Sequence, residues 1–201
     1  MSLTEMVDGG AAIQEISAFL DDLEHDARWA QLSTLSRATQ RRLFERAAAG
    51  PPLALEHFVP PDRAPLTQVT HHGRNTLPLP AKHKLFRKPF CRPADREGQL
   101  YGFNDSPSRW LVGPGFFVAV LTAGNADWEA RGSVVIDYFR VPDSAVCAGW
   151  PEVIPNHKGV QFFVYHQTRD FMRRVSAHVS IGAAYKKENA LDHYFVLCRE
   201  D

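Results

Sequence analysis

Apolar and polar residues follow two different periods along this chain, and the change falls near residue 80. Between residues 11 and 26, apolar side chains recur every three or four positions and acidic ones fall mostly outside that stripe, which is typical of an amphipathic helix. The stripe consists of Ile13, Ile16, Leu20 and Leu23. A second helix is expected to begin near Ser33 or Ser36, either of which can cap it, and to end at Gly50 before two prolines. The N-terminal part therefore predicts a helical pair.

After residue 80 the chain consists of short runs with a two-residue period or many β-branched and aromatic residues, separated by glycine-rich or polar turns. These runs predict strands over residues 84–92, 99–104, 115–122, 133–141, 159–166, 174–186 and 193–199. Residues 66–74 supply an eighth strand if they pair with the others. Most of the turns are short enough to make neighbouring strands antiparallel. The sequence therefore predicts an α+β fold, with the helical pair followed by a seven- or eight-stranded, mainly antiparallel curled sheet or barrel.

Prolines separate the helices from most of the strands. Seven of them lie between residues 51 and 80, where each ring removes a backbone donor and restricts the residue before it. We therefore expect a helical arm over residues 1–50, a proline-rich extended connector packed on the domain over 51–80, and an antiparallel β domain over 81–201, together one structural domain. The long link over residues 142–158 is the predicted place for a crossover or a pocket lid.

Composition excludes several functions. The 23 basic and 23 acidic residues cancel, so bulk charge gives no attraction to polyanions. No apolar run is long enough for a membrane span and no secretory pattern is visible, which predicts a cytoplasmic protein with no membrane partner. The three cysteines are far apart and form no CxxC pair, so neither a disulfide framework nor a structural zinc site is expected.

One basic run, KHKLFRKPFCR over residues 82–92, is interleaved with Phe86 and Phe90. Aromatic side chains beside cations are used to stack nucleic-acid bases. A solvated edge strand, protected from further pairing by lysines and Pro89, explains the same residues. Because the net charge is zero, we favour the edge strand and expect no nucleic-acid partner.

The richest candidate site lies in the predicted strand 174–186. Alternation places Ser176, His178 and Ser180 on one face and apolar residues on the other. If the apolar face packs on the core, the histidine faces solvent. If the sheet closes, His178 and Ser180 line a cavity, and a buried histidine bonded to a carbonyl is the third alternative.

A shared metal site is not expected. If residues 159–166 and 174–186 form a hairpin, His166 and His178 lie about 13 Å apart, far beyond zinc-ligand distances. The next hairpin places His193 farther away again. We therefore predict neither a metal nor another cofactor.

Asp137 is an acid in the apolar run VVIDYF. A buried carboxylate needs a cation, hydrogen bonds, solvent or a raised pKa. It is interpreted either as half of a structural ion pair, with Arg140, Arg173 or Arg174, or as a general base, with Tyr138 on the opposite face.

Three functions are compatible with these patterns. The first is a small-molecule-binding protein with a pocket within or at the mouth of the β domain, lined by Tyr138, Tyr165, His178 and Ser180. The second is a metal-independent hydrolase, lyase or isomerase that uses His178 or Asp137 in the same pocket. The third is an interaction module, in which the N-terminal helices pair with another protein or with a second copy of the chain.

Overall fold

The computed structural model of the protein describes residues 1–78, 80–107 and 109–200. Its described α-helices are α1 (Leu3–Gly9), α2 (Ile13–Asp21), α3 (His25–Leu32), α4 (Arg37–Arg46), α5 (Arg109–Val112), α6 (Ala126–Glu129) and α7 (Gln161–Val164). Its strands are β1 (Val69–Asn75), β2 (Leu85–Cys91), β3 (Gln99–Gly102), β4 (Phe117–Leu121), β5 (Val134–Asp137), β6 (Thr168–Arg174), β7 (Val179–Lys186) and β8 (Asn189–Arg199). Short 3-10 turns cover Ala47–Ala49, Leu55–His57 and Ala81–His83.

The eight strands form a closed antiparallel barrel in which each strand pairs with its neighbours in chain order. Closure is made by β1 and β8, with His71 opposite Arg199 and Asn75 opposite Phe195. The predicted α+β architecture of N-terminal helices followed by an antiparallel barrel is confirmed. The strand predicted from residues 66–74 is β1, so eight strands take part.

Four short helices precede the barrel where the sequence predicted two. The stripe over residues 11–26 is divided because α2 ends at Asp21 and α3 begins at His25. The side chain of Arg28 donates to the carbonyl oxygens of Leu20 and Leu23 and so holds the corner between these helices. Helix α4 begins as predicted, since the Ser36 hydroxyl accepts a hydrogen bond from the Thr39 amide.

The apolar sides of the helices pack on the outside of β7 and β8. Leu3, Ile16, Leu20 and Leu43 are fully buried in one cluster together with outward-facing strand residues. Those strand residues are Val179, Ile181, Ala183, Val196 and Cys198. The apolar stripe of the helices, which the interaction-module hypothesis assigned to partner binding, is therefore buried against this chain's own barrel.

A second cluster fills the barrel interior, because alternate residues of every strand point inward. Its fully buried aromatic members include Phe90 and Phe117, with Ile136, Met172 and Leu197 around them. We name the two barrel ends by their connections. The mouth carries residues 76–78, 80–84, 103–107, 109–116, 138–167 and 187–188, and the base carries residues 92–98, 122–133 and 175–178.

Two segments differ from their predicted structure. Residues 159–166 were expected to form a strand, but Gln161–Val164 is helix α7, and Phe163 on it is 76% exposed. A short apolar run does not distinguish a strand from a helix by period alone. The neighbouring segment HQTRDFMR was predicted as a turn and instead supplies most of β6.

Strand β2, formed from the basic run, is not an edge strand. It pairs with β1 on one side and with β3 on the other, for example Phe90 with Val69 and with Gly102. The prediction of a solvated edge is therefore wrong, because closure of the barrel leaves no free edge. None of the helices in the described part of the chain has both the length and the apolar character required to cross a lipid bilayer.

Two buried histidines near the base predict a dependence of stability on pH. Burial and the nearby charge of Arg199 lower the pKa of His57 to about 3. Burial also lowers the pKa of His71, which packs against the stacked rings of Phe58 and Phe90, well below its usual value. An unfolded histidine has a pKa near 6.5, so below that pH the unfolded chain binds more protons than the folded one and stability falls as pH falls.

We therefore expect each of these histidines to lower the free energy of unfolding by about 1 kcal/mol between pH 7 and pH 5.5. Urea unfolding at the two pH values measures this change. A double variant, His57→Phe with His71→Phe, is the control because neither ring can then take up a proton. If the double variant loses as much stability between the two pH values as the parent chain, the assignment is wrong.

Candidate functional site

A cavity of about 530 Å³ opens at the mouth of the barrel. Its walls are largely apolar, formed by side chains from the strand ends and from the loops above them. These residues are Leu77, Phe86, Val112, Val164, Leu191 and Phe195. Polar side chains also line it, and four of them converge: Lys88, Asn104, Tyr138 and Asp170. Their convergence in an apolar cavity is the usual composition of a small-molecule site.

Strand alternation places the charged members of this group inside the barrel. Lys88 lies between Phe86 and Phe90 on the inward face of β2, and its side chain is almost fully buried. Asp170 lies between Thr168 and Met172 on the inward face of β6, with its carboxylate buried as well. The cation and the anion thus come from strands on different sides of the barrel and meet in its interior.

Hydrogen bonds connect Lys88, Asn104 and Tyr138 at the Tyr138 hydroxyl, and an ion pair links Asp170 to them. The Lys88 ammonium group donates to this oxygen at 2.8 Å, and the Asn104 amide donates to it at 3.1 Å. Lys88 Nζ lies 3.6 Å from Asp170 Oδ2. The Asn104 amide also donates to the carbonyl oxygen of Gly115 at 3.1 Å, which fixes its orientation.

Aromatic rings surround the Lys88 ammonium group. Its nitrogen lies 4.6 Å from the centre of the Phe195 ring and 4.9 Å from that of Phe117. The rings of Tyr138 and Phe86 follow at 5.4 and 6.0 Å. Ring faces attract a cation, but this attraction offsets only part of the hydration energy that the ammonium group loses on burial.

This environment shifts the pKa of each titratable group. Burial lowers the pKa of Lys88 to about 8, although the Asp170 carboxylate acts in the opposite direction. Burial raises the pKa of Asp170, and Lys88 opposes that change. Burial also raises the pKa of Tyr138 well above its usual value, so its hydroxyl keeps its proton. The site therefore combines an amine whose pKa is lowered to about 8 with a carboxyl group and a phenol.

The predicted ligand-binding tyrosines both lie at this cavity. The Tyr165 ring stacks on the Tyr138 ring with 5.4 Å between centres and 19° between planes. Tyr165 follows α7 at the end of the link between β5 and β6. Within the same link, the Asn156 amide donates to the carbonyl oxygens of Phe116 and Tyr138, which holds the link against the barrel. Val164 and Tyr165 thus contribute one wall of the cavity, whereas residues 142–158, the segment predicted as a crossover or lid, supply none of its lining residues.

His178 and Ser180 lie away from the mouth. His178 is in the β6–β7 connection at the base, where its Nδ1 atom is 3.2 Å from a guanidinium nitrogen of Arg199. Ser180 points into the barrel as alternation predicted, but it is fully buried and four residues from the cavity-lining Ala184. At about 3.3 Å per residue that is about 13 Å along β7. The structure does not bring either residue to the cavity.

Asp137 faces the outside of the barrel. Its carboxylate lies 3.3 Å from the Arg169 guanidinium and accepts a hydrogen bond from the Phe139 amide. Burial raises its pKa, while the Phe139 amide and Arg169 lower it. The ion-pair interpretation fits this geometry, although the partner is Arg169 rather than Arg140, Arg173 or Arg174. An acid on this face cannot act in the mouth cavity.

The three histidines considered as metal ligands are dispersed. His166 stacks on Phe162 beside α7, His178 lies at the base, and His193 lines the mouth cavity. The hairpin used to separate them was wrong, because β7 pairs with β6 rather than with residues 159–166. Within residues 1–78, 80–107 and 109–200, no group of three or more His, Cys, Asp or Glu residues is placed to hold a metal ion.

A second cavity, of about 610 Å³, lies at the base beside residues 92–100. Its charged lining residues Glu56, Asp95, Arg96 and Glu97 are exposed to solvent. Arg92 is already bonded to backbone carbonyl oxygens of the 59–63 segment. The mouth cavity is the better candidate because its polar groups are buried and converge.

Sequence reasoning missed Lys88, Asn104 and Asp170. A signal for Lys88 was present, since Phe86, Lys88 and Phe90 share one strand face, which places a lysine on an otherwise aromatic side.

Comparisons with protein-family models, with curated proteins and with solved structures found no match for this chain. Its function is therefore inferred from the geometry of the mouth cavity.

Proposed function

We propose that the protein binds a small, neutral, largely apolar molecule in the mouth cavity. The observation that carries this proposal is the convergence of Lys88, Asn104, Tyr138 and Asp170 in a cavity of about 530 Å³ with mostly apolar walls. Cavities of roughly 300–1,000 Å³ with a few fixed polar groups are typical of small-molecule sites. The apolar body of the ligand lies among Phe86, Phe195 and the loop residues above them.

The charge of the site favours a neutral ligand. Lys88 and Asp170 carry opposite charges 3.6 Å apart, so the pair has no net charge to offer an ion. A charged ligand would lose its hydration on entering and would gain no unpaired counter-charge in return. The polar end of the ligand is therefore a carbonyl or hydroxyl group, which accepts from Lys88 and, if it is a hydroxyl, donates to Asp170.

Binding of prodan, a neutral naphthalene ketone whose fluorescence changes in apolar surroundings, tests this proposal. The parent chain should bind it, and Ala184→Trp should weaken binding by about tenfold or more because the indole fills the cavity that Ala184 lines. Ala126→Trp is the matched control, since Ala126 is an exposed residue of α6 at the base. Fluorescence titration gives both dissociation constants.

Saturable binding that is lost only in Ala184→Trp supports the mouth cavity as the site. Equal binding by the parent chain and by Ala184→Trp would place the probe elsewhere and would contradict the proposal, as would no binding at all. A thermal melt of each variant shows whether the barrel is intact. Extraction of the purified protein followed by mass spectrometry then searches for a natural ligand of the expected neutral, apolar class.

The enzyme alternative requires different residues from those predicted. His178 lies at the base and Asp137 lies on the outer face, so neither reaches a ligand in the mouth cavity. Of the acid and base groups that line this cavity, Lys88, Tyr138 and Asp170 are buried and converge, whereas His83 and His193 are half-buried. We assign any acid–base chemistry at this site to the three convergent side chains.

A further inference from the structure

We propose that Lys88 forms an imine with the carbonyl group of an aldehyde or ketone held in the mouth cavity. This inference rests on the proposed function, because the carbonyl compound must first bind there. It goes further by naming the chemical class of the ligand and the covalent bond that the site makes with it.

The position of Lys88 meets the first requirement of imine chemistry, which is an amine at the reacting end of an apolar cavity. Its side chain is almost fully buried, with the Phe117 and Phe195 rings within 5 Å of the nitrogen. Lysines desolvated in this way are the ones that proteins use as nucleophiles. An exposed lysine is almost entirely protonated at pH 8, whereas burial lowers the pKa of Lys88 to about 8 and so raises the share of its amine that is neutral and able to attack.

The neighbours of Lys88 supply the proton transfers that imine formation needs. The neutral amine attacks the carbonyl carbon, and the carbonyl oxygen takes up a proton to give a carbinolamine. The hydroxyl group then leaves as water after a second protonation, while the nitrogen lone pair forms the C=N bond. Asp170, 3.6 Å from the nitrogen, is placed to take a proton from the attacking amine and to return it to the leaving oxygen.

Atoms and charge balance without another reactant. One protonated lysine and one carbonyl compound give one protonated imine and one water molecule. The Asp170 carboxylate remains beside the positive nitrogen and stabilises the product as it stabilised the lysine. The Tyr138 hydroxyl, 2.8 Å from the lysine nitrogen, is positioned to donate a hydrogen bond to the carbonyl oxygen.

Borohydride trapping of naphthaldehyde at pH 8 tests this inference. Reduction fixes any imine as a stable secondary amine, and peptide mapping by mass spectrometry then identifies the lysine that carries it. We expect one naphthylmethyl group per chain, on Lys88, with Lys88 modified at least tenfold faster than the exposed Lys158. Lys88→Met should abolish this modification, and the matched surface variant Lys158→Met should leave it unchanged.

Naphthalenemethanol, which has the same ring system but no carbonyl group, separates the two proposals. If the alcohol binds and the aldehyde is trapped on Lys88, both proposals are supported. If the alcohol binds but the aldehyde is not trapped, or is trapped equally on surface lysines, the imine is excluded and the binding function remains. If neither compound binds, both proposals fall. Because the modified lysine is mapped in the parent chain, the test does not depend on whether Lys88→Met folds.

Discussion

Replacing Asp170 with leucine should destabilise the protein by about 3–5 kcal/mol, as breaking one side of a buried ion pair generally does. The variant leaves the Lys88 ammonium group among aromatic rings with only the Tyr138 hydroxyl and the ring faces as partners. Urea unfolding at pH 7 measures the change. Lys88→Met should cost less, because Asp170 can take up a proton when its counter-charge is removed, and burial has already raised its pKa.

The double variant Lys88→Met, Asp170→Leu is the control for this prediction. It removes both charges and replaces them with apolar side chains, so it should recover most of the stability lost in Asp170→Leu. In Asp170→Leu, Lys88 titrates below its unfolded value of about 10.4, so stability should also rise as the pH rises from 7 towards 10. A loss below about 1 kcal/mol in the single variant would mean that Lys88 is not a desolvated cation.

Adding a side chain at Gly102 should cost about 3 kcal/mol or more, because the residue lies where β3 crosses the interior aromatic cluster. A Cβ atom there would lie 2.3 Å from the tip of the Phe117 ring and 2.6 Å from the carbonyl oxygen of Pro89. The ring can turn only against neighbouring core residues, and the carbonyl belongs to the backbone of β2. We therefore expect Gly102→Val to disturb the pairing of β2 with β3, measured as a loss of unfolding free energy and of the melting temperature.

Gly9→Ala is the matched control, since no atom lies within 4 Å of the added Cβ at this last residue of α1. It should leave stability unchanged or raise it by about 0.5–1 kcal/mol through a smaller loss of backbone entropy. If both variants are equally stable, the close approach at Gly102 is not a constraint on the barrel.

Much of the fold follows from periods that the sequence shows directly. Strands β2, β3, β4, β5, β7 and β8 were predicted because their residues follow a two-residue period or are rich in β-branched and aromatic types, and because their turns are short. Strand β6 was not predicted, because polar residues lie on both of its faces. Asp170 lies between Thr168 and Met172 on the inward face, and Arg169 and Arg173 lie on the outward face. A strand with polar residues on both faces has no apolar alternation by which it can be recognised.

The site was harder to predict than the fold, because it is built from polar residues that interrupt the apolar pattern of the strands. Tyr138 and Tyr165 were proposed as ligand-binding residues, and both line the cavity, because aromatic residues beside strand ends commonly do so. Lys88 was assigned to a solvated edge, since a lysine is seldom buried without a partner and the partner lies 82 positions later in the chain. His178 attracted attention through its residue type, but its distance from the mouth depends on the strand register.

The pairing of β1 with β8 also determines when the fold can be completed during protein synthesis. Strand β1 and the helices before it leave the ribosome first, yet β8, which pairs with β1, and β7, which the helices cover together with β8, are made after all the other strands. At a synthesis rate of about 5–20 residues per second, the apolar faces of α1, α2 and α4 remain uncovered for on the order of 10 s, until β7 and β8 have been made. A nascent chain stalled before residue 179 should therefore be a substrate for chaperones, whereas one released after residue 199 closes its own barrel.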